Sequence, residues 1–442
     1  MTAALDITNK KKIIQKTFKA FNSLNIHKIP QIAFMDSLDI LRLRATAAVL
    51  PFRVNSYVLE NLIDWNNIPA DPIYQMIFPQ PGMIDESDLS PLMSLIDGDS
   101  DRQEVKRIVD EIREKLYPHP AQQMTLNIPE IDGYDGKGLQ HKYRETVLFF
   151  PAQGQTCHSY CSFCFRWPQF TGDKSLKFSD SSRDFLYSYL LNNSCVSNLV
   201  VTGGDPFVMK TSYLQYYLEG LCASSFKNLQ SIRIGTKSLT YWPFRFISDP
   251  DAQALLDLLK KLVRAGKHIT VMAHYNHVKE LQNQHSLDAI ERLQSVGVVV
   301  RSQGPVLCHV NDSSDDWINL WNTQERLGII PYYMFVERKT GAYRYYEIPL
   351  SRAYDIYKKA ISHTSGLART ARGPSMSATQ GKVEIQGVST IGDKKVFVLR
   401  YIQARNTDWV QQPFFSHYDP KAMWFDELKP FSNNDRKYFE KA

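Results

Sequence analysis

Between residues 141 and 340 short apolar runs alternate with longer amphipathic segments, and this alternation constrains the fold more than any other feature of the chain. The apolar runs are Thr146–Pro151, Ser197–Thr202, Ser231–Gly235, His268–Ala273, Gly297–Arg301 and Ile330–Val336. Apolar residues at helical spacing fill the gaps, at Ser179–Asn192, Thr211–Ala223, Pro250–Ala265, Ser286–Ser295 and Asp315–Leu327. Strands separated by helices pair in parallel with the helices outside, because a parallel connection needs a crossover of about a dozen residues or more. Six strands are enough for an open or partial barrel and too few for a closed one of eight. In such folds ligands bind at the C-terminal ends of the strands.

The loop after the first run carries Cys157, Cys161 and Cys164, in the order Cys-His-Ser-Tyr-Cys-Ser-Phe-Cys. Three thiolates at this spacing can hold three irons of a [4Fe–4S] cluster and leave the fourth iron open, and an open iron is what an enzyme needs to bind and split S-adenosylmethionine. Free core cysteines and a zinc knuckle are the plainer alternatives. A structural zinc site closes with four ligands, and beyond His158 the chain offers no second C-x2-C pair. Cys195, Cys222 and Cys308 are scattered and read as buried or inert. After the second run comes Thr202-Gly203-Gly204-Asp205-Pro206. Glycines at a strand end let backbone come close to a ligand, and Asp205 adds an acceptor for the amino group of S-adenosylmethionine. Alone, such a turn is ordinary; one βα unit after the cysteines it acquires meaning.

Composition bounds the rest. A chain of 442 residues has room for two or three domains, and 43% hydrophobic with 22% charged residues is an ordinary globular mixture. The net charge of +6 is mild, and Lys10, Lys11 and Lys12 form the only dense basic run, which reads as a solvated helix start. No nucleic-acid partner follows from it. No stretch of about 18 apolar residues spans a membrane, the first residues lack a signal-peptide pattern, and a thiolate-held cluster wants a reducing compartment, so the expected location is cytoplasmic. Residues 1–140 read as a mainly helical region, with helices over Leu38–Leu50 and Asp101–Leu116, a Pro-rich packed loop at Asp71–Met83, and Pro118 and Pro120 at its end. Residues 341–442 read as a C-terminal segment: a turn-rich stretch at 372–382, a hairpin over Val383–Tyr401, and an aromatic tail from Asn406 that packs on another surface.

Phe163 ahead of the third cysteine, the Gly203-Gly204-Asp205-Pro206 turn, Arg233-Ile234-Gly235-Thr236-Lys237, His274-Tyr275-Asn276-His277, and Gln303 ahead of Val310-Asn311-Asp312 form an ordered set. With this set the chain resembles the lysine 2,3-aminomutase branch of the radical S-adenosylmethionine enzymes, from about Asp71 to Lys382. The resemblance implies an α/β fold with a partial (β/α)6 radical-SAM barrel, a cluster on Cys157, Cys161 and Cys164, and cofactor contacts from Gly203, Gly204, Asp205, Arg233, Thr236, His274 and Gln303. It implies a second cofactor, pyridoxal phosphate, on Lys382: Ser365-Gly366 precedes that lysine at the family's separation, and Gly381 stands immediately before it. His141-Lys142-Tyr143 matches the family's basic residue and tyrosine near the cofactor's phosphate and ring, so Lys142 and Tyr143 join the expected site. The family's next arginine is here Thr146. Arg166 matches the arginine that clamps the substrate α-carboxylate, a task suited to a bidentate guanidinium. Lysine-specific members set two aspartates against the distal ammonium. Those positions fall at Glu337 or Arg338 and at Ser375, a pocket that does not suit lysine.

The activity so implied is a 2,3-aminomutase that turns a small-molecule amino acid into a β-amino acid, fed by a low-potential electron donor, in a homo-oligomer whose C-terminal segment serves pyridoxal phosphate and assembly. Two other readings stay open. One is an enzyme of the same fold without pyridoxal phosphate, acting on another small molecule or a protein lysine. The other is a non-catalytic iron–sulfur protein for electron transfer, which would ordinarily close all four cluster sites.

Overall fold

The computed structural model describes residues 16–98, 101–117, 125–131, 134–173 and 176–440. The first residues with Lys10–Lys12, and Pro118 and Pro120, lie outside them.

Eleven strands form one sheet whose spatial order is the chain order. They are β1 (Leu139–Tyr143), β2 (Thr146–Phe149), β3 (Asn198–Val201), β4 (Ser231–Thr236), β5 (His268–His274), β6 (Val299–Val306), β7 (Ile330–Val336), β8 (Arg372–Ser377), β9 (Gly381–Ile391), β10 (Lys394–Ala404) and β11 (Pro413–His417). From β2 to β8 the pairing is parallel. β1 joins one flank antiparallel, and β9 to β11 extend the other antiparallel.

Six helices make the crossovers: α1 (Arg183–Asn192), α2 (Thr211–Leu218), α3 (Ala252–Arg264), α4 (Gln284–Ser295), α5 (Ser314–Arg326) and α6 (Leu350–Ser362). Each expected strand and helix between 141 and 340 is present within a few residues of its expected ends, except that α1 starts later and the third turn after α2 tightens into a 3-10 helix at Glu219–Cys222. The parallel strands bury both faces, as β5 shows with Ile269, Val271, Met272 and Ala273. α3 covers them with Leu255, Leu256, Leu258, Leu259 and Leu262, all buried. Each such side chain contributes about 1.5–3 kcal/mol.

Three expectations need correction. The stretch 372–382 is not a turn-rich break: Arg372–Ser377 forms β8, a seventh parallel strand, and α6 is its crossover. Its residues, Arg-Gly-Pro-Ser-Met-Ser, carry no β-propensity, and the strand exists because Gly373 lets it lie against Met334, where a Cβ would fall 2.4 Å from the carbonyl oxygen. Pro374 cannot donate to the ladder, and the pairing register shifts at that point. The Pro-rich Asp71–Met83 contains a helix, Pro72–Ile77, because Asp71 caps it through the Tyr74 amide at 2.8 Å and Pro72 takes its first position. Cys195, read as buried or inert, is exposed.

The two flanks of the sheet approach each other. Lys142 on β1 donates to the carbonyl of Ala378, just after β8. Arg405, just after β10, donates to Asn127, upstream of β1. The sheet therefore curls around a cavity instead of lying flat.

The N-terminal region has its own core, including Leu43, Val58, Ile73 and Leu89. Its polar contacts grip the cysteine loop: the Tyr160 amide donates to the Arg53 carbonyl at 2.8 Å, and the Ser162 amide to the Met76 carbonyl at 2.9 Å. Buried Asn55 reaches both the Ser159 hydroxyl, at 3.0 Å, and the Tyr241 carbonyl, at 2.8 Å. The aromatic tail packs on the chain's own hairpin. Tyr401, Phe414, Phe425 and Tyr438 form a third core there, so this packing needs no second subunit. Among the described residues no helix is long and apolar enough to cross a membrane.

Candidate active site

The curled sheet encloses a cavity of about 420 Å³. One end is built by the cysteine loop after β2. Cys157, Cys161 and Cys164 all line it, and all three are free thiols. Burial raises each thiol above its ordinary range, Cys164 to about 12, and neighbouring thiols add to this at Cys157 and Cys164. Thiols so placed ionise when a metal takes the proton's place. Among the described residues no three His, Cys, Asp or Glu side chains close on a point where one ion could sit. Thiolates on three corners of a cubane stand further apart than ligands sharing one ion, and the three thiols line one cavity. His158 is not a fourth ligand in waiting. Its Nδ1 is hydrogen-bonded to Ser238 Oγ at 2.9 Å, and burial pushes its pKa down to about 3.

The Gly203-Gly204 turn after β3 lies against this loop. A Cβ on Gly204 would stand 2.3 Å from the Thr156 carbonyl oxygen, and one on Gly203 (φ +141°) 2.1 Å from the Gln155 amide nitrogen. The glycines thus allow the turn to approach the cysteine loop, where the Asp205 amide donates to Thr156 O at 2.7 Å. Asp205 is buried, and its oxygens accept from Thr236 Oγ1, Ser238 Oγ and the amides of Lys237 and Phe207. With four donors on it, this carboxylate ties β3 to β4. His274, at the end of β5, stacks on Phe163 with centroids 5.9 Å apart. Its Nδ1 is buried without a hydrogen-bond partner among the described residues, and burial lowers its pKa to about 3. A buried polar atom left open at a cavity wall is a place for a ligand. Beneath it Lys237 is ion-paired with buried Glu280 and donates to the His274 carbonyl at 3.0 Å.

The other end is cationic. Lys142, Arg166, Arg233, Arg338, Lys382 and Arg405 all line the cavity. The nitrogen of Lys382 lies 3.9 Å above the Tyr333 ring and 5.1 Å above that of Phe335. Lys382 is half-buried and lines the cavity. Burial first, then Arg233, Arg372, Lys142 and Arg338, push its pKa well below the usual lysine range. Burial likewise brings Lys142 to about 7 and Arg166 to about 10. Arg233 donates to Asn198 Oδ1 at 2.7 Å and reaches Thr146 Oγ1 at 3.4 Å. So many cations in one closed space require an anion.

No family model matches the chain. Two solved structures show remote likeness. Streptococcus suis SuiB bound to precursor peptide SuiA has a TM-score of 0.35 at 12% identity over 62% of each chain. The radical S-adenosylmethionine methyltransferase TsrM from Kitasatospora setae has 0.29 at 10%, over 43% of this chain and 37% of that one. Both are too distant to bear on the fold. Curated sequences are nearer. A putative L-lysine 2,3-aminomutase of Aquifex aeolicus is 29% identical over 376 residues, 85% of this chain and 87% of that protein. The L-lysine 2,3-aminomutase of Bacillus subtilis is 27% identical over 52% of this chain and 46% of its own length. The chain is similar to proteins of the lysine 2,3-aminomutase family. The match spans only about half the length of several of these relatives.

Every matched site residue, from Lys142 and Tyr143 through the cysteines and Arg166 to Gln303 and Lys382, lines the same cavity. Ser365 and Gly366 do not. They are exposed in the loop after α6. Glu337 and Arg338 both line the cavity, whereas Ser375 is buried with its hydroxyl on the Met334 carbonyl at 3.4 Å. Sequence reasoning passed over Arg405, Tyr333 and Phe335. Arg405 belongs to no motif and enters only because β9 and β10 carry it back to the loop at Thr379, whose carbonyl it holds at 3.0 Å.

Proposed function

We propose that this protein moves the amino group of an amino acid from Cα to Cβ, in a partial barrel that holds a [4Fe–4S] cluster, S-adenosylmethionine and pyridoxal phosphate. The observation that carries this reading is the single cavity joining a three-thiol end to a cationic end around Lys382. When bound, the cluster with S-adenosylmethionine would supply a radical that takes a substrate hydrogen, and pyridoxal phosphate the carrier on which nitrogen migrates. One C–N bond breaks at Cα, one forms at Cβ, and a hydrogen moves the opposite way, so substrate and product are isomers and no net oxidant is needed.

The chain's own residues do the rest. Cys157, Cys161 and Cys164 would hold the cluster, and His274 Nδ1 and Gln303 face the space beside it. Lys382, whose pKa burial and the neighbouring cations push well below the usual lysine range, is the amine that would bear pyridoxal phosphate. Lys142 and Arg405 flank the backbone of 378–380 and suit its phosphate. Arg233 brings a guanidinium to the place where Thr146 stands. Arg166, stacked 4.4 Å from the Phe150 ring, presents its fork to a substrate carboxylate. The aromatic walls and the N-terminal region keep water from the reacting carbon. The cytoplasm is the fitting compartment. A low-potential donor would approach through a second cavity of about 540 Å³, which Cys157 and His158 share with Arg53 and Lys16.

The test is anaerobic reconstitution with iron, sulfide and pyridoxal phosphate, followed by borohydride reduction and peptide mapping. The expected result is one pyridoxyl group on Lys382 and about four irons per chain, lost when the three cysteines become alanine. Equal pyridoxal phosphate retention by Lys382→Ala would overturn the assignment.

A further inference from the structure

Tyr241 puts a hydroxyl on a cysteine sulfur. Its Oη lies 3.5 Å from Cys161 Sγ, hydrogen-bond distance for an atom as large as sulfur. Tyr241 ends the short helix Ser238–Tyr241 after β4, is buried, and lines the cavity. Three contacts hold it there. Its amide donates to the Lys237 carbonyl at 2.9 Å. The Lys237 nitrogen lies 5.1 Å from the centre of its ring. Its carbonyl accepts from Asn55 Nδ2 at 2.8 Å. Asn55 also donates to Ser159 Oγ at 3.0 Å, so one side chain clamps both the loop that carries Cys161 and the helix that carries Tyr241. Among the described residues, Cys161 is the one member of the trio whose sulfur meets a side-chain donor.

Between a phenol and a free thiol either group can donate. Once iron takes the thiol's proton, the sulfur offers only lone pairs, and the phenol must be the donor. We infer that Tyr241 is a positioning residue for the cluster: its O–H, donated to Cys161 Sγ, raises the cluster's reduction potential. This rests on the proposed radical chemistry and adds the residue that sets how readily the cluster takes an electron. Reduction brings in one electron from the low-potential donor and no proton, and the cysteine sulfurs share the added charge. A hydrogen bond to a sulfur strengthens as that charge grows, so it favours the reduced state. Burial removes water as a substitute donor, which leaves the effect to Tyr241. Without the hydroxyl the cluster would be a stronger reductant and a harder one to charge.

The experiment is an anaerobic redox titration of the reconstituted protein, with the reduced cluster followed by electron paramagnetic resonance. Tyr241→Phe removes the hydroxyl and keeps the ring. At a fixed potential its ratio of reduced to oxidised cluster should fall about tenfold, a midpoint about 59 mV lower for one electron. Tyr346→Phe is the control. It also removes a buried hydroxyl from the cysteine loop, one bonded to Ser162 Oγ at 2.7 Å and to no sulfur, and its midpoint should match wild type. Placing 3-fluorotyrosine at position 241, a stronger donor of nearly the same size, should move the midpoint upward. That protein decides the matter if Tyr241→Phe does not take up iron. An unchanged midpoint in the position-241 variants, or an equal fall in Tyr346→Phe, would overturn the inference and leave the aminomutase reading intact. A wild type that assembles no cluster would overturn both.

Discussion

The nitrogen of Lys382 stands 3.9 Å above the ring of Tyr333, and the guanidinium of Arg372 lies 4.4 Å from the centroid of the same ring. Burial first, then Arg233 and Arg372, disfavour the charged form of Lys382. The pKa of Lys382 therefore lies well below the usual lysine range.

That arrangement sets the pH range of cofactor attachment. Pyridoxal phosphate should bond to Lys382 with a midpoint well below the ordinary lysine value of 10.5. Replacing Arg372 with methionine removes one repelling charge and should move the midpoint upward. The check is the absorbance of the bound cofactor against pH in both proteins. Coincident curves would show that Arg372 does not act on Lys382.

Gly204 makes the cysteine loop answerable to the turn after β3. A Cβ there would overlap the Thr156 backbone, at 2.3 Å from its oxygen and 2.5 Å from its nitrogen. Backbone cannot rotate away as a side chain can, so Gly204→Ala should shift the loop and cost about 1–3 kcal/mol. Iron content after reconstitution should fall with it, while far-ultraviolet circular dichroism stays near wild type. Full iron content together with unchanged stability would mean the contact is loose.

How far such relationships can be read in the chain depends on their range. The strand–helix alternation follows from local hydrophobic period, and the cysteine trio from spacing within eight residues, so both are legible. β8 is not, because Arg-Gly-Pro-Ser-Met-Ser has no strand signal and is recruited by its neighbour β7. Asp205 reads as an open acceptor because its four donors arrive from β4 and its own turn, about thirty residues apart in part. Arg405 acquires its place only when the two flanks of the sheet meet. Ser365-Gly366 shows the opposite failure, where a spacing match to the family falls on an exposed loop.

Lys237 and Glu280 form a buried pair under the cluster end, with Thr240 Oγ1 also donating to Glu280 at 3.0 Å. Breaking such a pair from one side strands a charge. Lys237→Met should cost about 3–5 kcal/mol in chemical denaturation of the apo protein. Lys237→Met with Glu280→Leu removes both charges and should recover a large part of that loss. A double variant as unstable as the sum of the singles would show that packing, and not the stranded carboxylate, dominates.

Glu337 gives the stability a pH dependence of definite sign. Its carboxyl is raised by burial from 4.5 in the unfolded chain to about 8 in the fold, with Arg338 only partly opposing. Below about pH 4.5 both states hold the proton and Glu337 contributes nothing to the slope. Between there and about 8 the unfolded chain has lost its proton and the folded one keeps it, so stability falls as pH rises. Glu337→Gln removes this dependence. Urea denaturation of apo wild type and variant at pH 5.5 and 7.5 should show the wild type losing about 2–3 kcal/mol relative to the variant. A difference that is constant across that range would mean Glu337 ionises in the fold. It would then stand as a negative charge beside Arg338.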